Sequence, residues 1–89
     1  MKHKLKTWPT FFWDVAMGAK TFEIRKDDRG FTVGDKLILQ EYEPDTKTYT
    51  GEEFSVMVNY TINLNGIPGI PDGFIGMSIS PKIWAKRPT

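Results

Sequence analysis

The chain has 89 residues, no Cys, and 12 Lys and Arg against 11 Asp and Glu, a formal net charge of +1. That length accommodates one domain, 1–89, and the missing Cys excludes disulfides, thiolate metal sites and a Cys nucleophile. At 39% hydrophobic and 26% charged the composition is that of a globular protein, and the near-neutral balance argues against non-specific binding of long duplex DNA, which rests on many phosphate contacts.

So short a chain buries a modest share of its surface, and its core must come from a few large side chains. Six Phe, three Trp, three Tyr and four Met supply them. The charge is uneven. Residues 1–30 carry seven Lys and Arg against four Asp and Glu, 31–60 carry two against six, and 61–89 carry three against one. The N-terminal Lys2-His3-Lys4-Leu5-Lys6 has no apolar run behind it, so a signal peptide is not expected. No window approaches the roughly 18 apolar residues of a membrane helix. A cytoplasmic protein without cofactor or membrane partner is the expectation.

Lys2 to Thr7 alternates and reads as a first strand. Pro9 starts a short helix, where its missing N–H costs nothing. Phe12, Val15 and Ala16 share one helical face, flanked by Phe11 and Trp13, and Gly18 is placed as a left-handed stop. Two or three turns are not stable alone, so the helix must pack on the sheet. Of the aromatics Trp8, Phe11 and Trp13, at least two are expected in the core, with Trp8 kept as a stacking surface.

Lys20 to Lys26 is the next strand, with Phe22 and Ile24 on one face and Thr21, Glu23 and Arg25 on the other. Asp27-Asp28-Arg29-Gly30 and Val33-Gly34-Asp35 are turns. Lys36 to Glu43 is a strand, and Pro44 to Lys47 has hairpin-loop chemistry. Phe54, Val56, Val58, Tyr60 and Ile62 then occupy every second position of the clearest strand. Asn63 to Gly73 is a loop, either a lid with Ile67 and Ile70 as its apolar underside or a plain connector. Phe74 to Ser80 is the last strand, with Ile75, Met77 and Ile79 on one face. The tail from Pro81 is basic around Trp84. No β-helix-β unit repeats, so the fold class expected is mainly β (α+β): a small, partly open barrel of five or six strands with a short helix after the first.

The segment Gly18-Ala19-Lys20-Thr21-Phe22-Glu23-Ile24-Arg25 carries the most chemistry. Glu23 and Arg25 share a strand face about 7 Å apart, and Lys20, just past the helix stop, can swing to join them. Two cations bracketing a carboxylate can hold an anion, and Lys20 is a tunable base. On local pattern alone, a solvated strand face with cross-paired charges accounts for the same residues.

The spacing Gly18-x-Lys20-x-x-Glu23-x-Arg25 resembles the signature of ASCH (activating signal cointegrator homology) domains of the PUA-like superfamily. His3-x-Leu5-Lys6, Trp8-Pro9, Phe12, Asp28-Arg29, Phe31-x-Val33-Gly34-Asp35 and Tyr49-Thr50-Gly51 resemble a small bacterial and phage subgroup, over roughly residues 3 to 62. The resemblance implies a cleft beside the helix lined by the signature residues, and a ligand that is RNA or a nucleotide. Lys20, Glu23 and Arg25 are its expected binding residues, joined by Trp8, Lys6, Arg29 and His3. His3 also reads as an ordinary edge-strand residue. Some relatives are enzymes. One kind hydrolyses the amide of N4-acetylcytidine with a Lys, a Thr and a Glu, the Thr three positions after the Lys. Here that position is Glu23, and Thr21 is out of register, so the nucleophile of that reaction is missing. Members with ribonuclease activity are known. Binding is therefore the leading expectation. A hydrolase using Lys20 and Glu23 on modified nucleosides or RNA comes second, and a protein-interaction module third. No ligand-spaced metal motif is present, and a monomer is the default.

Overall fold

The computed structural model describes residues 1–81; the expected basic tail around Trp84 lies outside the described residues. Strand β1 (Lys2–Thr7) is followed by helix α1 (Pro9–Ala16) and then by β2 (Phe22–Lys26), β3 (Lys36–Glu43), β4 (Thr48–Asn63) and β5 (Phe74–Pro81). They form one five-stranded sheet in the order β1-β3-β4-β5-β2. β1 runs parallel to β3, and every other pair is antiparallel. The sheet is mainly β, curled and partly open, with β1 and β2 as its two edges.

The core lies on the inner face of the curl. Leu5, Leu37, Leu39, Val56, Val58, Ile75, Met77 and Ile79 come from the strands, with Phe31 from the loop before β3. Phe12 and Val15 are the buried residues of α1, as their helical spacing requires. The three aromatics around them are not core. Trp8, Phe11 and Trp13 are 54%, 48% and 45% exposed. A two-turn helix has one inward stripe, and Phe12 with Val15 fills it. Trp13 instead donates its indole N–H to Glu41 on β3 at 2.7 Å, while Thr50 on β4 donates to the other oxygen of that carboxylate at 2.7 Å. The helix is thus fastened to the sheet by apolar packing beneath and a satisfied buried carboxylate beside it.

The helix stop has the expected form. Gly18 takes φ 83°, a value that favours Gly. Its N–H bonds to Val15 O and that of Ala19 to Asp14 O, closing a Schellman cap. Lys20 N–H also reaches Asp14 O, at 3.0 Å. The cap therefore fixes where Lys20 leaves the helix.

β4 departs from the even alternation expected of it. Val58 pairs with Ile79 but Tyr60 with Ser78, so β4 carries one extra residue at Asn59. Such a bulge reverses which parity faces inward. Val56 and Val58 are core, whereas Tyr60 and Ile62 are turned out to the surface. Nearer the hairpin a second irregularity opposes Gln40–Tyr42 to Tyr49–Glu53, with Gly51 at φ 95° within it.

Asp35, which the sequence marks as a turn residue and as part of the Phe31-x-Val33-Gly34-Asp35 pattern, is a buried hub. Its carboxylate accepts from the Met1 amino group at 3.0 Å, from Thr32 N–H at 3.0 Å and from Thr32 Oγ1 at 3.1 Å, and its Oδ2 lies 2.9 Å from His3 Nε2. Burial pushes its pKa up. The bonds from His3, the Thr32 backbone, the N-terminal ammonium and the Thr32 hydroxyl outweigh that and hold it well below the ordinary carboxylate range. The unfolded chain therefore takes up this proton first as pH falls. The stabilisation is complete above the ordinary range near pH 4 and fades as pH drops toward the folded value. Asp35→Asn is expected to cost roughly 2–4 kcal/mol at pH 7, read from urea unfolding. The gap between wild type and variant should narrow below about pH 4; a gap constant down to pH 2 would contradict this assignment.

Candidate functional site

β1 and β2 are the two ends of the curled sheet and have no ladder between them. Such edges leave backbone groups that need partners. Two arginines meet the need on β1. Arg25 Nη1 donates to Lys6 O at 3.1 Å, and Arg29 Nη1 donates to Lys4 O at 3.0 Å. Arg25 Nη2 also reaches Thr7 Oγ1 at 3.2 Å. The seam is bridged by side chains where a closed barrel would have a ladder.

This explains an inversion on β2. The alternation of Phe22 and Ile24 against Glu23 and Arg25 is as expected, but the charged side is the one turned toward the seam. Glu23 is buried at 3% exposure, while Phe22 and Ile24 are 51% and 56% exposed. The seam demands donors, and the apolar pair is turned outward.

Lys20, Glu23 and Arg25 come together as one cluster. Lys20 Nζ donates to Glu23 Oε2 at 2.5 Å and to Phe22 O at 2.7 Å, and Arg25 Nε donates to Glu23 Oε1 at 2.9 Å. Each carboxylate oxygen therefore holds one cation. The ammonium also lies 4.9 Å from the Phe22 ring centroid and 5.9 Å from that of Phe11, a favourable placement for a cation. Lys has three donors and guanidinium five. Two of the Lys20 donors and three of the Arg25 donors are engaged. One N–H of Lys20 and two of Arg25 have no partner among the described residues.

The cluster lies in an open cleft of about 470 Å³ lined by Lys6, Thr7, Trp8, Phe11, Lys20, Phe22, Glu23, Ile24, Arg25, Lys26 and Phe74. Four cations and one carboxylate share this wall with an aromatic rim. The cleft thus contains five of the residues expected from sequence: Lys20, Glu23, Arg25, Trp8 and Lys6. The Lys6 ammonium sits 4.2 Å from the Tyr42 ring centroid.

The other two expected residues are elsewhere. His3 is on edge strand β1 but is buried against Asp35, with its ring 4.8 Å from Phe31 edge-to-face, so it does not line the cleft. Arg29 binds the β1 carbonyl of Lys4 and is likewise outside the lining. The Asn63–Gly73 loop is no part of the lining either. It is closed on itself by Asn63 Oδ1 to Asn65 N–H, Asn65 Oδ1 to Gly73 N–H and Asp72 Oδ1 to Gly66 N–H. The sequence does not mark Thr7, Phe22, Ile24, Lys26 or Phe74 as site residues. Thr7 and Phe74 carry no local signal of it, because strand pairing alone brings them to the seam.

Residues 2–79 match a domain of unknown function, DUF3850, and the chain belongs to that family. No curated protein matches it significantly. Among solved structures, the crystal structure of hypothetical protein PH0355 superposes with a TM-score of 0.61 at 17% identity, covering 91% of this chain and 99% of that one. At that identity what the two share is the fold.

Replacing Arg25 by Lys keeps the charge but cannot reach Glu23, Lys6 O and Thr7 together. Arg25→Lys is expected to lower stability by about 1–3 kcal/mol and to raise amide exchange in β1 selectively. Unchanged β1 protection would show that the seam does not depend on this bridge.

Proposed function

For this DUF3850 chain we propose a binding module that takes a nucleotide, or a short single-stranded RNA segment, into the cleft between α1 and the β1–β2 seam. The observation that carries the proposal is the set of unspent donors on Lys20 and Arg25. Their other donors are tied to Glu23 and to backbone, so the free ones are held in place before any ligand arrives. A preorganised donor set loses little freedom on binding, and phosphate oxygens and base carbonyls are the acceptors it suits. Lys6 and Lys26 on the same wall extend the attraction to a phosphodiester. Trp8 and Phe11, half exposed on the rim, offer faces for a base.

The family resemblance supports the same reading. Lys20, Glu23 and Arg25 of the Gly18-x-Lys20-x-x-Glu23-x-Arg25 pattern line this cleft, and a five-stranded, partly open sheet with one short helix agrees with the small barrel that the ASCH resemblance implies. Cytoplasmic RNA is the matching partner class. No helix among the described residues is long and apolar enough to cross a membrane.

Hydrolysis has weaker support. Glu23 holds a cation on each oxygen, and the Thr7 hydroxyl donates to Leu5 O at 3.2 Å while accepting from Arg25. Neither is arranged as a free nucleophile with a base beside it.

Trp8→Ala and Lys20→Gln are the decisive variants, since Trp8 is 54% exposed and its loss spares the core. Trp8→Ala is expected to weaken binding of short single-stranded RNA roughly 5- to 100-fold. Lys20→Gln should flatten its salt dependence by about 0.7 in the log–log slope. Fluorescence titration at low salt measures both. A wild type that binds neither RNA nor nucleotide would refute the reading. Turnover of acylated nucleosides or RNA that is lost in Glu23→Gln would replace it with hydrolysis.

A further inference from the structure

A second concavity lies around the corner of β2, on the outer face of the sheet. It is built from two cross-strand rows. Phe22 on β2 and Tyr60 on β4 flank Ser78 of β5, and Ile24 and Ile62 flank Gly76. The four large side chains are 51%, 65%, 56% and 51% exposed in that order. Strands two apart are separated by about 9.5 Å, so Phe22 with Ile24 and Tyr60 with Ile62 stand as walls over a floor of Ser78 and Gly76. At one end the slot is stopped by Ile62, which leans so far over Gly76 that a Cβ there would lie 3.0 Å from its Cγ2. At the other it opens over Ser78, an exposed residue. The concavity measures about 300 Å³, and the strand spacing of about 9.5 Å between β2 and β4 leaves room for one flat ring between Phe22 and Tyr60.

Two further observations bear on what enters it. The slot has no cation among its lining residues, and its single carboxylate, Glu23, is turned inward onto Lys20 and Arg25. It also adjoins the cleft, because Phe22 and Ile24 line both. Four cations thus line the cleft, while the slot next to it has none. A backbone phosphate gripped in the cleft would send the neighbouring nucleotide over this shared wall, where stacking needs a ring face and no charge. Four half-exposed side chains fall short of the roughly 800 Å² per partner of a stable protein interface, so a second copy of the chain is the poorer occupant.

We infer that the ligand of the cleft is a single strand of at least two nucleotides, and that its second base stacks in the slot between Phe22 and Tyr60. This rests on the reading of the cleft as a nucleotide site. Tyr60 is the clean probe, for it lines the slot and not the cleft. Binding of a nucleoside 5′-monophosphate and of the corresponding dinucleotide and tetranucleotide, in uridine and adenosine series, is measured by calorimetry at low salt. The wild type is expected to bind the dinucleotide at least about 5-fold more tightly than the monophosphate. Tyr60→Ala should abolish that gain and leave monophosphate affinity within about two-fold, whereas Tyr60→Phe should keep the gain, since stacking needs only the ring. Equal wild-type affinity for one and two nucleotides, or a gain untouched by Tyr60→Ala, overturns the inference and leaves the cleft reading standing. Binding of no nucleotide of any length overturns both. Self-association removed by Tyr60→Ala, with nucleotide affinities unchanged, also overturns it and assigns the slot to a contact between copies.

Discussion

Glu23 is the point on which the seam depends. A curled sheet that stops short of closure brings two edge strands near one another without a ladder, and each edge exposes unpaired backbone groups. Here the gap is spanned by Arg25, reaching from β2 to the carbonyl of Lys6 and the hydroxyl of Thr7 on β1. A guanidinium can do this only if held in plane, and Glu23 holds it through Nε. The second oxygen of the same carboxylate takes Lys20, which arrives from the Schellman cap of α1. Helix, β2 and β1 therefore meet on one buried carboxylate.

Burying that carboxylate is costly, and a salt bridge of this kind is a poor source of net stability. Its effect is geometric. With most of their donors committed to Glu23, Thr7 and backbone, Lys20 and Arg25 are held in place on the wall of the cleft. The same failure of the ladder opens the cleft between Trp8, Phe11 and Phe74. Structural repair of the seam and the donor set proposed for binding are thus one arrangement of side chains. The requirement for donors at the seam also sends Phe22 and Ile24 to the outer face, where they make the wall shared by cleft and slot.

A second buried carboxylate, Asp35, acts at the far end of β1. It gathers His3, Thr32 and the chain's amino group and so anchors the start of the strand whose other end Arg25 holds. Glu41 performs a third such task between Trp13 and Thr50. In a domain with so small a core, three acidic side chains fix helix and edge strand where apolar packing alone leaves them loosely specified.

Element order, the Pro9 start and Gly18 stop of the helix, the turns, and the nearness of Lys20, Glu23 and Arg25 were all determined by the sequence alone. Each follows from the backbone preferences of a few adjacent residues or from the two-residue period of a strand. Which face of β2 is inside was decided only by tertiary structure, as were the reversal of β4 beyond Asn59 and the departure of His3 from the cleft to Asp35. Periodicity separates the two faces of a strand but carries no sign telling which is inward. That sign comes from what lies across the sheet: an unsatisfied seam for β2, one extra residue against β5 for β4, and a turn carboxylate 32 positions away for His3.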